Sequence, residues 1–286
     1  VLQGAVAGLA AGGLYAVLAV CLTLMSRLVR VVNFAQAAVG MFGGYVGVWL
    51  VGRHGVGIWP AMLVGVLIGG ALSALIGAII ARWLPEADTS TRSAVTVGPL
   101  LLLISLSFIL FGNKPQPFSP VIPGPAFTVG DVVVSQLTVV TVLLAVLVAV
   151  ACRLVLARTA VGIRLRALSE RPTTAELLGI PARSLSVAVW TASGVISAGV
   201  ILIVAPSQSN DATSLAMLIV PAAAAALLGG FQRLDLAVLG GLLLGMLQGA
   251  VAQVAAVSFV RNFLPLLFIV GFLLWTRRKE VWDDAR

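Results

Sequence analysis

The sequence predicts an all-α, polytopic membrane protein of eight or nine transmembrane helices, on three observations. Hydrophobic residues fill 60% of the 286 positions before the 30 glycines are counted. Only 10% are charged, against about 25% in ordinary soluble domains. The charges also fall between long apolar runs. A bilayer span needs about 20 apolar residues, so with short connections the length is taken up by roughly eight to ten helices. Residues 1–286 therefore read as a single transmembrane domain with no separate soluble unit.

In chain order, apolar runs bounded by charge, Pro or Gly fall near 2–26, 31–51, 58–81, 94–111, 133–156, 184–205, 214–230, 237–257 and 262–276. The first is too long and too glycine-rich for a cleaved signal and is expected to stay as a helix. The second opens on the polar Asn33, the seventh carries Pro221, and the ninth is short with Pro265. An eight-span bundle with one re-entrant segment therefore competes with nine full spans. Between the fourth and fifth runs, Gly112 to Gly130 carries Pro115, Pro117, Pro120, Pro123 and Pro125. Proline fixes φ and restricts its predecessor, so this connector is stiff and extended. It reads either as a docking surface for an external protein or as a rigid link.

Eighteen Lys plus Arg against ten Asp plus Glu give a formal charge of +8. No basic stripe with stacking aromatics accompanies that excess, which excludes a nucleic-acid partner and leaves the cations as topology signals. With nine alternating spans, fifteen cations fall on one side, at Arg27, Arg30, Arg82, Arg92, the 153–183 stretch, Arg233 and the tail through Arg286. Only Arg53, Lys114 and Arg261 fall on the other. The positive-inside rule then places the N-terminus outside and the C-terminus in the cytoplasm.

Within the spans no Asp, Glu, Lys, Arg or His is central, which argues against proton-coupled carriers and voltage sensors, whose working charges must sit in the membrane field. Coupling to sodium through the carbonyls of broken helices stays open. Cys21 and Cys152 lie in apolar runs and read as small buried thiols. The candidate polar sites are the amides Asn33 and Gln36, one turn apart at the start of the second span, with Phe34 between them. They suit either a solute pathway or interhelical hydrogen bonding. Gly4, Gly8 and Gly12, Gly241, Gly245 and Gly249, and Gly40 with Gly44 repeat at four-residue spacing, the pattern of helix faces that approach closely.

The longest loop on the cation-rich side covers 157–183. Inside it, Pro172 suits a first helical position and Gly179 a C-terminal cap, bounding a helix of about two turns. So short a helix is marginal alone and must pack on something. Ala175 and Leu178 form an apolar face that meets either the chain's own bundle or a cleft on a cytoplasmic protein. Neither lysine follows Gly as a phosphate loop requires, so any ATP used is bound by another chain.

Several stretches resemble a known family. They are Gly13, Leu14, Tyr15 and Ala16; Val32 to Gln36 with Met41, Gly43, Gly44 and Tyr45; Phe111 and Gly112 before the prolines; Arg166 and Ala167 with Arg171, Pro172, Ala175, Leu178, Gly179 and Ile180; Ser193, Gly194, Ala198 and Gly199; and Leu228 to Gly230 with Gly240, Gly241, Leu244 and Gly245. In this order they resemble the permease subunits of ABC importers for branched-chain amino acids, across essentially the whole chain. Gln36 and Ala37 stand where that family often has His and Gly, and Arg233, Leu234 and Asp235 replace its proline-glycine stretch.

The resemblance implies an importer permease bundle in the inner membrane, with no catalytic residue, metal or cofactor of its own. Its partners would be a second permease subunit, identical or homologous, two cytoplasmic ATP-binding subunits holding ATP and Mg, an extracytoplasmic solute-binding protein, and membrane lipid. Arg171, Pro172, Ala175, Leu178 and Gly179 would couple to the ATPase, and Asn33, Phe34 and Gln36 would line the path. The cargo would be branched-chain or other hydrophobic amino acids, or related small solutes, moved by alternating access. A stand-alone facilitator or sodium-coupled carrier for a small neutral solute is the competing expectation, with a non-transporting scaffold third.

Overall fold

The computed structural model describes residues 1–283 apart from positions 86, 119 and 131; Arg286, counted above among the cations, lies outside them. The helices are α1 (Leu2–Val29), α2 (Gln36–His54), α3 (Ile58–Trp83), α4 (Thr89–Val95), α5 (Val97–Phe111), α6 (Gln136–Arg158), α7 (Ala160–Glu170), α8 (Pro172–Leu177), α9 (Ala182–Val204), α10 (Ala212–Ala216), α11 (Ile219–Leu228), α12 (Leu234–Ala252) and α13 (Leu264–Asp283). Turns of 3-10 helix cover Ala205–Ser207 and Ala255–Phe263.

Among the described residues, seven segments are long and apolar enough to cross a membrane. The other two apolar runs of the sequence are also helical, as α2 and the pair α10 and α11. Gln36, five glycines and the terminal Arg53 and His54 dilute α2, although most of its first half is buried. The seventh run breaks at Met217 and Leu218, leaving 17 residues from Ala212 to Leu228. Pro221 sits in the first turn of α11 and Pro265 in that of α13. First-turn N–H groups have no intrahelical partner, so neither proline disrupts its helix.

Several elements were not expected from the sequence. The stretch before α6 forms an antiparallel hairpin, β1 (Pro125–Val129) and β2 (Val132–Ser135), turned at Gly130 with φ +59°. Val132 to Val134 are β-branched and extend the apolar run of α6, so composition merges them with the helix. Helix α4 also precedes the fourth span, opened by Asp88, whose carboxylate accepts the Thr91 N–H at 3.1 Å. A hydrogen bond from the Ser90 hydroxyl, followed by those from Thr91, holds the Asp88 carboxyl below its usual pKa.

α1 is the central helix, and every residue from 12 to 25 is buried, as expected of a helix apolar all round. It packs on α12, α6, α9 and α11, while α3 packs on α9 and α2. Gln3 exchanges two hydrogen bonds with Val133 at 3.1 and 2.8 Å, tying the start of α1 to the hairpin. At the opposite end of the bundle, the Arg30 guanidinium donates to the Ser169 carbonyl of α7 at 2.8 Å.

Candidate functional site

Between α1 and α2 the chain leaves helical geometry and turns back into the bundle. Arg30 takes a left-handed conformation (φ 55°), and residues 31–35 are non-helical. Inside an apolar bundle, freed backbone groups need partners. The Val32 N–H donates to Ser93 Oγ and the Phe34 N–H to Thr96 Oγ1, both at 2.9 Å, and the Ala35 N–H donates to Asn33 Oδ1 at 3.0 Å. The break before α2 is thus held by the junction of α4 and α5, itself a helix interruption at Thr96.

Asn33 and Gln36 are 0% exposed. Asn33 Nδ2 donates to Gln36 Oε1 at 2.8 Å, and Gln36 Nε2 donates to the Ser193 carbonyl at 2.9 Å and to Ser197 Oγ. Both serines lie midway along α9. The two amides therefore meet each other and α9, with their polar atoms bonded inside the chain. Phe34 is only half-buried.

The 157–183 segment is more ordered than a loop. Thr159 caps α7 by accepting the Gly162 N–H at 3.0 Å, and Leu165 and Leu168 bury its apolar side. α8 begins at Pro172 after Arg171, whose N–H bonds the Ala167 carbonyl at 3.0 Å. It closes with Gly179 at φ +79°, the Ile180 N–H on the Ala175 carbonyl at 3.1 Å and the Gly179 N–H on Glu176 at 2.9 Å, a Schellman closure. Ala175 and Leu178 do not share an outward face. Ala175 is 2% exposed, whereas Leu178 is 77% exposed beside Leu177 at 85%. The helix ends at Leu177, so the three-residue spacing that aligns 175 with 178 no longer applies. Leu177 was missed from sequence, although two adjacent leucines on a two-turn helix cannot both face inward.

The glycines meet in pairs. On α1 and α12, Gly4 lies against the Gly249 carbonyl, Gly8 against that of Gly245, and a Cβ on Gly12 would stand 3.1 Å from that of Gly241. On α2, Gly40 faces Ile201 and Ser197 of α9, while Gly44 faces the Phe118 ring of the proline-rich connector.

At the hairpin end, residues far apart in the chain come together. The buried Tyr45 hydroxyl donates to the Asn210 carbonyl at 2.8 Å, and the same carbonyl accepts the Gln116 N–H at 3.0 Å. Tyr45 also meets Phe111 edge-on at 5.6 Å and Phe118 at 5.9 Å. α2, the connector after α5 and the connector before α10 are latched at one oxygen. A separation of 165 residues between Tyr45 and Asn210 hides this from local pattern.

A family model described as "Branched-chain amino acid transport system / permease component" matches residues 4–273. The chain is 25% identical to the high-affinity branched-chain amino acid transport system permease protein BraD of Pseudomonas aeruginosa, covering 93% of each. It is 26% identical to the probable branched-chain amino acid transport permease protein LivH of Methanocaldococcus jannaschii, over 91% of this chain and 84% of that protein. A solved structure, PsaBC from Streptococcus pneumoniae in complex with Fab, aligns over 95% of this chain and 89% of its own at 17% identity and a TM-score of 0.44, a distant likeness on which nothing further rests. With a family match over nearly its whole length and seven apolar helices long enough to cross a membrane, the chain belongs to the permease components of branched-chain amino acid transport systems.

Proposed function

We propose that this chain is one half of the translocation pathway of an ATP-driven importer for branched-chain or other hydrophobic amino acids. The observation that carries the reading is the family match across residues 4–273. Under this reading the chain lies in an inner membrane beside a second permease subunit. The end bearing α7 and α8 faces the cytoplasm and two ATP-binding subunits, and the hairpin end faces an external solute-binding protein. The concentration of cations on the α7 and α8 side supports that orientation.

The exposed Leu177 and Leu178 make the tip of α8 the docking point for an ATPase subunit. Ala175, buried beneath, anchors the tip to the permease, with Arg171, Pro172 and Gly179 setting its start and stop. Closure of the ATPase pair pushes on this tip, and α7, packed on α6 and bonded to Arg30, carries the push into the bundle as a rigid-body motion. Asn33 and Gln36 serve the pathway by holding α2 on α9 rather than by touching solute in this conformation; Phe34 is the residue of the three left partly free to face it.

Reconstitution with candidate ATP-binding subunits and a candidate solute-binding protein from the same source tests the reading. Uptake of labelled leucine that needs both ATP and the binding protein is expected. Uptake by the chain alone, driven by a sodium gradient, would instead establish the carrier.

A further inference from the structure

Beneath the proline-rich connector lies a cavity of about 280 Å³, walled by Val48 and Val51 of α2, Ile58 and Met62 of α3, Val121 of the connector and Leu202 of α9. We propose that it binds one acyl chain of an anionic phospholipid whose headgroup is held at Arg53. Three observations select that occupant. Among the described residues the lining has no acidic side chain to receive an ammonium group, so a free amino acid has nothing to hold its positive end, whereas an acyl chain needs only apolar walls. Gly52 also lines the cavity, and the next residue, Arg53, is exposed with no ion pair or hydrogen bond among the described residues. A phosphate is its charge complement. Trp49 and Trp59 are 42% and 69% exposed at this same end, and Trp49 is set edge-on to the His54 ring at 4.7 Å. Exposed indoles mark the headgroup level of a bilayer, which puts the cavity in the hydrocarbon just beneath it. The site is independent of the solute carried.

The test uses the intact protein in phosphatidylcholine nanodiscs doped with phosphatidylglycerol carrying a diazirine on its acyl chain, with labelled peptides mapped by mass spectrometry. Label is expected on the 48–62 and 202 peptides, about fivefold above that from the matching phosphatidylcholine probe, the effect of one cation near an anionic headgroup. Arg53→Glu should remove that preference. Met62→Trp, which fills the cavity, should remove the label, with gel filtration confirming that both variants stay folded. Labelling no stronger than on the lipid-exposed face of α13, or unchanged by Met62→Trp, would overturn the proposal by reducing the contact to annular lipid. Loss of label on adding free leucine would overturn it in favour of a solute site.

Discussion

At the seam of α1 and α12, six glycines bring two backbones into contact; at the tip of α8, two leucines stand in the open. In the seam, each missing side chain is what permits the approach, so specificity is written in absence and a single methyl group is felt. At the tip the Leu177 and Leu178 side chains are 85% and 77% exposed, and their apolar surface is available to a partner. The seam carries the fold and the tip carries a proposed assembly, so substitutions in the two places should fail in different assays.

The largest expected effect is at the seam. A Cβ on Gly245 meets the Gly12 backbone and lies 2.6 Å from the Gly8 carbonyl. Overpacking a core costs about 1–3 kcal/mol where side chains can yield, and more where, as here, only backbone faces the intruder. Gly245→Leu should abolish the monodisperse gel-filtration peak of the detergent-purified protein. Gly199→Ala is the control: its new Cβ would find nothing nearer than Val66 Cγ2 at 4.0 Å, and the peak should be retained.

Next comes the network before α2. Gln36→Leu strands the Asn33 amide and the Ser197 hydroxyl in a buried site, at a cost of about 1–3 kcal/mol. A lowered melting temperature together with slowed uptake is expected, because α2 and α9 lose their shared register. Unchanged stability with lost uptake would mean that Gln36 touches solute instead. The smallest effect is at the latch. Tyr45→Phe removes one hydrogen bond, worth about 0.5–1.5 kcal/mol, and should speed hydrogen exchange across 112–124 while leaving α1 and α12 unchanged.

Much of the fold was legible because its signals are local. Apolar run length marks the spans, four-residue spacing marks Gly4, Gly8 and Gly12 as a face, and Pro172 with Gly179 brackets α8. What stayed hidden is relational. That the α1 glycines meet those of α12 is not written in either helix. Val132 to Val134 read as the start of α6 because a β-branched run and a membrane helix share composition. α7 is too polar to resemble a span and so merges with a loop on composition, although Leu165 and Leu168 at three-residue spacing signal its buried side. Leu177 is hidden because Gly179 as a cap extends the helix to Leu178 on sequence, which pairs Leu178 with Ala175, whereas α8 ends at Leu177. The latch through Tyr45, Asn210 and Gln116 uses a backbone carbonyl, which no side-chain motif reports.

Single cysteines at 175 and 178, tested in the assembled complex on the double Cys21→Ala, Cys152→Ala background, separate the tip from its anchor. With a short thiol-to-amine crosslinker, Leu178→Cys should join the permease to its ATP-binding subunit, and the yield should change when ATP is added. Ala175→Cys should give no product. Crosslinking from 175 but not from 178, or from neither in a complex that still transports, would contradict the assignment of the α8 tip as the coupling contact.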